Sequence, residues 1–279
     1  MPPTAPATID RAKAHAAFDA YVAPYDAANP RIALKVDHTL RVAELCDRIA
    51  ESLGMDLSDR DLAWLCGLLH DIGRFEQVRR WDTFSDARSC SHAALGIEVL
   101  FGEGEASSAE DRGAACDDRG RLERFSELNA ADRSLLCTAV ATHSDFRLPE
   151  GLDARTRTFC DLLRDADKID ILKAACTEPV EAIFGVPEEE LLASPLTPAV
   201  EQTFYEHRTV LRADRRVPAD FVLGFACFAF ELVYPESRRI AAEQGYLFEL
   251  FDRPFVDERT ARSMAEAQEH LREWMGLAG

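Results

Sequence analysis

The sequence is short of positive charge. Its 279 residues include 32 lysines and arginines against 50 aspartates and glutamates, which gives a formal net charge of −18. Long-range electrostatics therefore oppose binding to a nucleic-acid duplex or to an anionic membrane surface. A small anionic substrate is still allowed, because a bound metal ion can reverse the sign of the local field. The simplest interpretation of the negative charge is solubility.

Other absences narrow the class of protein further. No Cys-X-X-Cys pair occurs among the eight cysteines, so a cysteine zinc site is not indicated. The longest apolar run, 221–230, is too short to cross a bilayer, and the N-terminus lacks a basic segment followed by an apolar stretch. These features predict a reduced, cytoplasmic protein with no membrane partner.

Apolar residues recur at helical spacing along most of the chain, and no strand alternation or fixed repeat is evident. We therefore predict an all-α fold. The stretch 75–90 has no clean period and is predicted to be a loop with at most a helical turn. The stretch 102–131, rich in Gly, Glu, Asp, Ser and Arg, is predicted to be a mobile surface insertion. The predicted helices cover 38–53, 58–71, 91 onward, 132 onward, 154–175, 199–213, 219–243 and 256–275.

Four of the seven histidines fall on the buried side or at the end of predicted core helices: His38, His70, His92 and His143. A buried imidazole without a partner is costly, so it usually forms a hydrogen bond or binds a metal. For a single histidine, a satisfied core residue is the better interpretation. Four together, with Asp71 at the end of an otherwise apolar helix, favour a metal site.

The segment LLRDADKID carries a second group of acids. On a helix, Asp167 shares a face with Leu163, whereas Asp165 and Lys168 point elsewhere. Asp167 is therefore a candidate ligand. The alternative for this cluster is a solvated helix end with local salt bridges.

His38, then the His70-Asp71 pair, then Asp167 resembles the H…HD…D signature of the HD-domain superfamily. The resemblance extends through HTLRV, LLHDIGRFEQ, TFSDARSCSHAALG, ATHSD and LLRDADKIDIL, in the family's order, over roughly residues 35 to 175. An HD dipeptide alone is not evidence for this family. The ordered set, with each member at its expected helix end, is specific.

The resemblance implies an HD-domain helical bundle with additional C-terminal helices. It implies one domain over 1–279, with a metal-binding core at about 30–176 and a helical extension at about 177–279. It also implies a divalent transition metal, and imidazole with carboxylate suits Mn, Fe, Ni, Co or Zn. The implied direct ligands are His38, His70, Asp71 and Asp167.

His92 and His143 match positions that hold a second metal in binuclear relatives, with Asp71 bridging the two ions. The alternative is one metal, with both histidines binding phosphate. Two departures from the family pattern argue against two specific substrate classes. The chain reads HSDFRLPEG after His143, without the glycine-proline extension of cyclic-di-GMP phosphodiesterases, and Arg74-Phe75 replaces the acidic pair of ppGpp hydrolases.

The expected function is hydrolysis of a phosphate ester or anhydride by metal-activated water, in the phosphatase or phosphodiesterase class, with a nucleotide as one candidate substrate. Asp71 would orient the water or accept its proton. Lys168 would contact a phosphate oxygen, unless it forms a salt bridge with Asp165 or another acid. Arg74, one turn after the HD pair, would bind phosphate through its guanidinium fork.

Three alternatives stay open on the sequence. They are a non-catalytic nucleotide sensor that uses the same pocket, a di-iron oxygenase on the same scaffold, and a structural protein whose buried histidines and aspartates are satisfied core groups. The expected partner is a small phosphorylated molecule. The apolar run 221–230 requires a covering surface in this chain or in a second copy, which leaves a homodimer open.

Overall fold

The computed structural model describes residues 9–102 and 121–277, and every regular element in those ranges is helical. The all-α prediction is therefore confirmed. No helix in the described ranges is both long enough and apolar enough to span a bilayer. The chain divides into an N-terminal unit, residues 1–166, and a C-terminal unit, residues 167–279. The expected organisation as one domain with a core and an extension stays a prediction.

In the N-terminal unit, α2 packs against α3 and α4, while α5 packs against α4 and α7. Helix α1, which the sequence pattern did not reveal, lies on α3 and α6. The helices of this unit are α1 (Arg11–Val22), α2 (Pro30–Ser52), α3 (Leu57–Leu69), α4 (Gly73–Trp81), α5 (His92–Phe101), α6 (Leu122–Phe125), α7 (Ala130–Thr142) and the beginning of α8 (Ala154–Thr177).

Side-chain caps fix the beginnings of the four helices that carry the candidate histidines. In each case a side-chain oxygen just before the helix accepts a hydrogen bond from a backbone N–H of the first turn, which satisfies a donor that has no partner within the helix. These caps set where each helix starts. The capping residues are Asn29 for α2, Asp56 for α3, Ser91 for α5 and Asn129 for α7.

The loop predicted over 75–90 is wrong in its first part, because α4 continues to residue 81. The α4 sequence is polar on average, so its apolar residues are too few to predict a helix from their spacing. It is held instead by a few contacts: Phe75 and Val78 are buried, and Glu76 accepts hydrogen bonds from Arg79. Tertiary packing of one face is enough to stabilise a short helix.

The predicted insertion at 102–131 falls largely on residues 103–120, which lie outside the described residues. Its last part is described, and it mixes exposed residues, such as Glu123 and Arg124, with buried ones. Residues 122–125 form α6, in which Leu122 and Phe125 are almost fully buried.

The C-terminal unit contains the end of α8 followed by α9 (Val180–Phe184), α10 (Glu188–Leu192), α11 (Pro198–Tyr205), α12 (Pro218–Ala226), α13 (Pro235–Gln244), α14 (Tyr246–Glu249) and α15 (Glu258–Trp274). Helix α12 packs against α10 and α11, so part of the apolar run 221–230 is covered within this unit. A homodimer stays a prediction.

Two of the predicted C-terminal helices are too long. Helix α11 ends at Tyr205 and not at residue 213. The predicted helix 219–243 is divided. Helix α12 ends at Ala226, and a 3₁₀ helix follows over Cys227–Glu231. Pro235 then begins α13 and restricts the preceding residue to extended backbone, with Tyr234 at φ −93° and ψ 142°. The predicted helices over 154–175 and 256–275 correspond to α8 and α15 and are confirmed.

Helices α4 and α5 touch through their backbones at Gly73, two residues after the HD pair. A Cβ added at Gly73 would press on the carbonyl oxygen of His92 and would lie 2.5 Å from the nitrogen of Gly96. A Cβ added at Gly96 would meet no atom nearer than 3.6 Å. The contact therefore excludes a side chain at residue 73 and tolerates a methyl group at residue 96.

We expect Gly73→Ala to lower the free energy of unfolding by about 1–3 kcal/mol, because the added methyl group must push two backbones apart. Gly96→Ala is the matched control. It should change stability by about 1 kcal/mol or less, in the stabilising direction, because alanine favours the helix and finds room. Urea denaturation followed by circular dichroism measures both, and equal losses in the two variants would contradict the packing described.

Candidate metal centre

Four histidines and one aspartate converge in the N-terminal unit from separate helices. His38 lies within α2, His70 caps the end of α3, His92 is the first residue of α5, and His143 caps the end of α7. Asp71 follows His70 directly. All five side chains are buried, with residue exposures of 0–5%. The structure thus brings these five predicted metal ligands together.

The two carboxylate oxygens of Asp71 face different pairs of imidazoles. Its Oδ2 lies 3.5 Å from Nε2 of His38 and 3.5 Å from Nε2 of His70. Its Oδ1 lies 3.5 Å from Nε2 of His92 and 3.6 Å from Nε2 of His143. Each oxygen forms a three-atom group with two ring nitrogens that could hold an ion.

Hydrogen bonds on the outer side of three rings fix their tautomers. His70 and His143 each place Nδ1 2.7 Å from the carbonyl oxygen three residues earlier in the chain. His92 places Nδ1 2.7 Å from a carboxylate oxygen of Asp86. Because carbonyl and carboxylate oxygens only accept, each Nδ1 carries the proton, and a neutral ring then turns a lone pair on Nε2 towards Asp71.

This arrangement leaves acceptors facing acceptors. Nε2 of His92 lies 3.0 Å from Nε2 of His143. Burial, assisted by the charge of Arg74, lowers the pKa of His92 to about 4, so this ring stays neutral near neutral pH. Asp71 Oδ1 is itself buried without a hydrogen-bond partner. Three acceptor atoms around one point are the donor set of a cation site, so the residues present fit a metal ion.

Lys35 is a member of this site that the sequence reasoning missed. Its Nζ lies 2.5 Å from Oδ2 of Asp71. Burial alone would raise the pKa of Asp71, but the positive charge of Lys35 holds that pKa well below its usual range. The carboxylate is therefore ionised. The sequence did contain a signal for this role, because residue 35 precedes His38 by three residues and so shares its helix face.

Arg74 organises the loop behind His92. One nitrogen, Nη1, donates to Gln77 Oε1 at 2.6 Å, to the Phe84 carbonyl at 2.8 Å and to Asp86 Oδ1 at 2.9 Å. Asp86 is the carboxylate that holds the Nδ1 proton of His92. Arg74 thus fixes a partner of a candidate ligand, and its predicted contact with substrate phosphate stays a prediction.

Arg164 on α8 holds the end of α7 in place. Its Nη1 donates to the carbonyl oxygens of Thr142 at 3.2 Å, His143 at 3.1 Å and Asp145 at 2.5 Å. These carbonyls follow the last turn of α7 and have no partner within the helix. The guanidinium therefore positions the backbone that carries His143.

The remaining predicted residues lie on α8. Asp165 and Lys168 are buried, so the solvated helix end considered as an alternative is wrong. Lys168 pairs with Glu231 at 3.1 Å, which matches the alternative of a salt bridge to an acid. Asp167 is half-buried and is the first residue of the C-terminal unit. The ligand role of Asp167 and the phosphate contact of Lys168 stay predictions.

A comparison with family models gives one finding, a match to the HD domain over residues 36–175, which is half of the chain. No curated protein and no solved structure gives a significant match. The matched range contains all six predicted ligands. Members of this family are mostly metal-dependent hydrolases that bind divalent ions. The chain therefore belongs to the HD-domain family.

Proposed function

We propose that this protein is a metal-dependent phosphohydrolase acting on a small phosphate ester or anhydride, with nucleotides among the candidate substrates. The observation that carries the proposal is the environment of Asp71 Oδ1. This buried oxygen of an ionised carboxylate has no hydrogen-bond partner and faces the lone pairs of two imidazoles. Arg74 Nε, 3.5 Å from Oδ1, supplies positive charge but no hydrogen bond. Buried acceptors without a hydrogen bond are costly, and a divalent cation would satisfy all three.

The two oxygens of the Asp71 carboxylate face different pairs of imidazoles, and this supports two metal ions rather than one. With one ion, His92 and His143 would have to bind phosphate as donors, but each already donates its Nδ1 proton within the protein, which leaves Nε2 for a metal ion. Mn, Fe, Ni, Co and Zn all suit this donor set. The proposed ligands are His38, His70, Asp167 and Asp71 Oδ2 for one ion, and His92, His143 and Asp71 Oδ1 for the other.

When bound, divalent ions at this place lower the pKa of a water molecule and neutralise charge on phosphoryl oxygens. Asp71, kept ionised, would orient that water or accept its proton. Lys35 would turn from Asp71 to a phosphate oxygen of the substrate, and Lys168 is proposed for a second such contact. In a chain with a net charge of −18, these local cations would draw in an anionic substrate.

We expect His70→Ala and Asp71→Ala to lose bound metal and phosphohydrolase activity together, because each removes a proposed ligand. The measurements are metal content by elemental analysis and turnover of a panel of nucleotides, phosphomonoesters and phosphodiesters, with and without Mn²⁺. His15→Ala is the matched control, because His15 is a partly exposed residue of α1 whose imidazole pairs with Asp19, 3.1 Å away. It should keep both properties.

Retained metal and activity in both ligand variants would end the assignment. Nucleotide binding without turnover in the metal-loaded wild type would indicate a sensor, and oxygen consumption by the iron-loaded protein would indicate an oxygenase. Circular dichroism of each variant separates loss of ligands from loss of fold.

Lys35→Met should separate substrate binding from metal binding. The variant keeps the aliphatic stem and removes the charge, so metal content should be unchanged while KM for the phosphorylated substrate rises about tenfold or more. Lys13→Met, at an exposed position on α1, provides the control and should leave KM unchanged. Unchanged KM in Lys35→Met would remove this residue from the proposed substrate contacts.

Asp86→Asn tests the second ion. An amide can donate as well as accept, so it no longer fixes the proton on Nδ1 of His92, and affinity for the second ion should fall about 10–100-fold. The expected readout is a metal content that drops from two ions to one per chain. Asp82→Asn is the control in the same loop, since Asp82 is exposed and asparagine tolerates its left-handed backbone (φ 48°). An unchanged content of two ions in Asp86→Asn would contradict this role for Asp86.

A further inference from the structure

Two histidines without an assigned role meet in the C-terminal unit. Nε2 of His207, which follows α11, lies 2.8 Å from Nε2 of His270 on α15. His207 is exposed and His270 is half-buried, so the pair is open to solvent. Two imidazole nitrogens at this distance either share one proton or can chelate one metal ion.

The backbone at His207 is unusual for a residue with a side chain. It has φ 53°, and among the described residues only it and Asp82 are non-glycine residues with positive φ. The N–H of His207 donates to the Phe204 carbonyl at 2.9 Å, and the N–H of Arg208 donates to the Thr203 carbonyl at 3.2 Å. These two bonds form a Schellman motif, in which glycine is the usual residue at the position of His207. Histidine here is strained, and residues held in this way cluster at functional positions.

Aromatic rings hold both imidazoles in place. The ring of Phe230 lies 4.8 Å from that of His207, and the ring of Tyr205 lies 5.0 Å from that of His270. Trp274 lies 5.8 Å from His207. Side chains fixed in this way lose little conformational freedom when they bind a ligand, so the geometry of the pair is set in advance.

We propose that His207 and His270 form an exchangeable transition-metal site separate from the HD centre. Imidazole ligands select Cu²⁺, Ni²⁺ or Zn²⁺ over Mg²⁺ and Ca²⁺, and Cu²⁺ binds most tightly in this series. No acid or thiol among the described residues completes the pair to a group of three ligands. Water therefore fills the remaining positions, and the ion exchanges readily with solution.

The test uses the full-length protein, with the metal it carries on purification, titrated with Cu²⁺. Because Trp274 adjoins the pair, bound Cu²⁺ should quench its fluorescence in a saturable way, and the electron paramagnetic resonance spectrum should show coupling to imidazole nitrogen. His207→Gly and His270→Gln should each abolish both signals. Glycine suits the backbone at position 207, so His207→Gly should also keep or raise the melting temperature.

Two controls assign the signal. Trp274→Phe should remove the quenching while the nitrogen coupling remains. His15→Gln, which removes a partly exposed imidazole elsewhere in the chain, should change neither signal. The proposal is overturned if the wild type shows no saturable quenching that depends on Trp274, or if that quenching persists in both histidine variants. In either case the pair is only an N–H···N hydrogen bond.

Discussion

The buried carboxylate of Asp71 imposes the main constraint on the N-terminal unit. Removing such a charge from water costs several kcal/mol, so charge and hydrogen-bonding partners must be supplied within the fold. Lys35 supplies a positive charge at Oδ2, 2.5 Å away, and Arg74 places Nε 3.5 Å from Oδ1. Helices α2, α4, α5 and α7 each bring a group to this one carboxylate, which ties their positions to each other.

Two of these helices end at the centre in the same manner. In α3 and α7, a histidine caps the C-terminus and donates its Nδ1 proton to a carbonyl of its own last turn. That hydrogen bond satisfies a carbonyl at the helix end and, at the same time, turns Nε2 inward. The C-terminal end of a helix also carries partial negative charge, so both helices add to the field that favours a cation. The position of a histidine at a helix end therefore serves the fold and the proposed chemistry together.

The sequence predicted the helical class and the five buried groups because both follow from spacing that is local in the chain. It did not predict α4, which is short and buries few apolar side chains, or the end of α12 at Ala226, which falls within a long apolar run. Lys35 and Asp86 were also missed. Their roles depend on which side chains meet across helices, and spacing within one segment does not encode that. The strained backbone at His207 follows from where α11 stops, which was predicted eight residues too late.

The backbone contact at Gly73 has a consequence for how the centre tolerates change. Since α4 and α5 meet there without intervening side chains, the span between the HD turn and the first residue of α5 is set by stiff peptide groups. Side chains elsewhere in the core can then vary in size without altering that span. Substitutions that accumulate in the surrounding core would therefore change the free energy of unfolding before they changed the distance between the two sets of ligands.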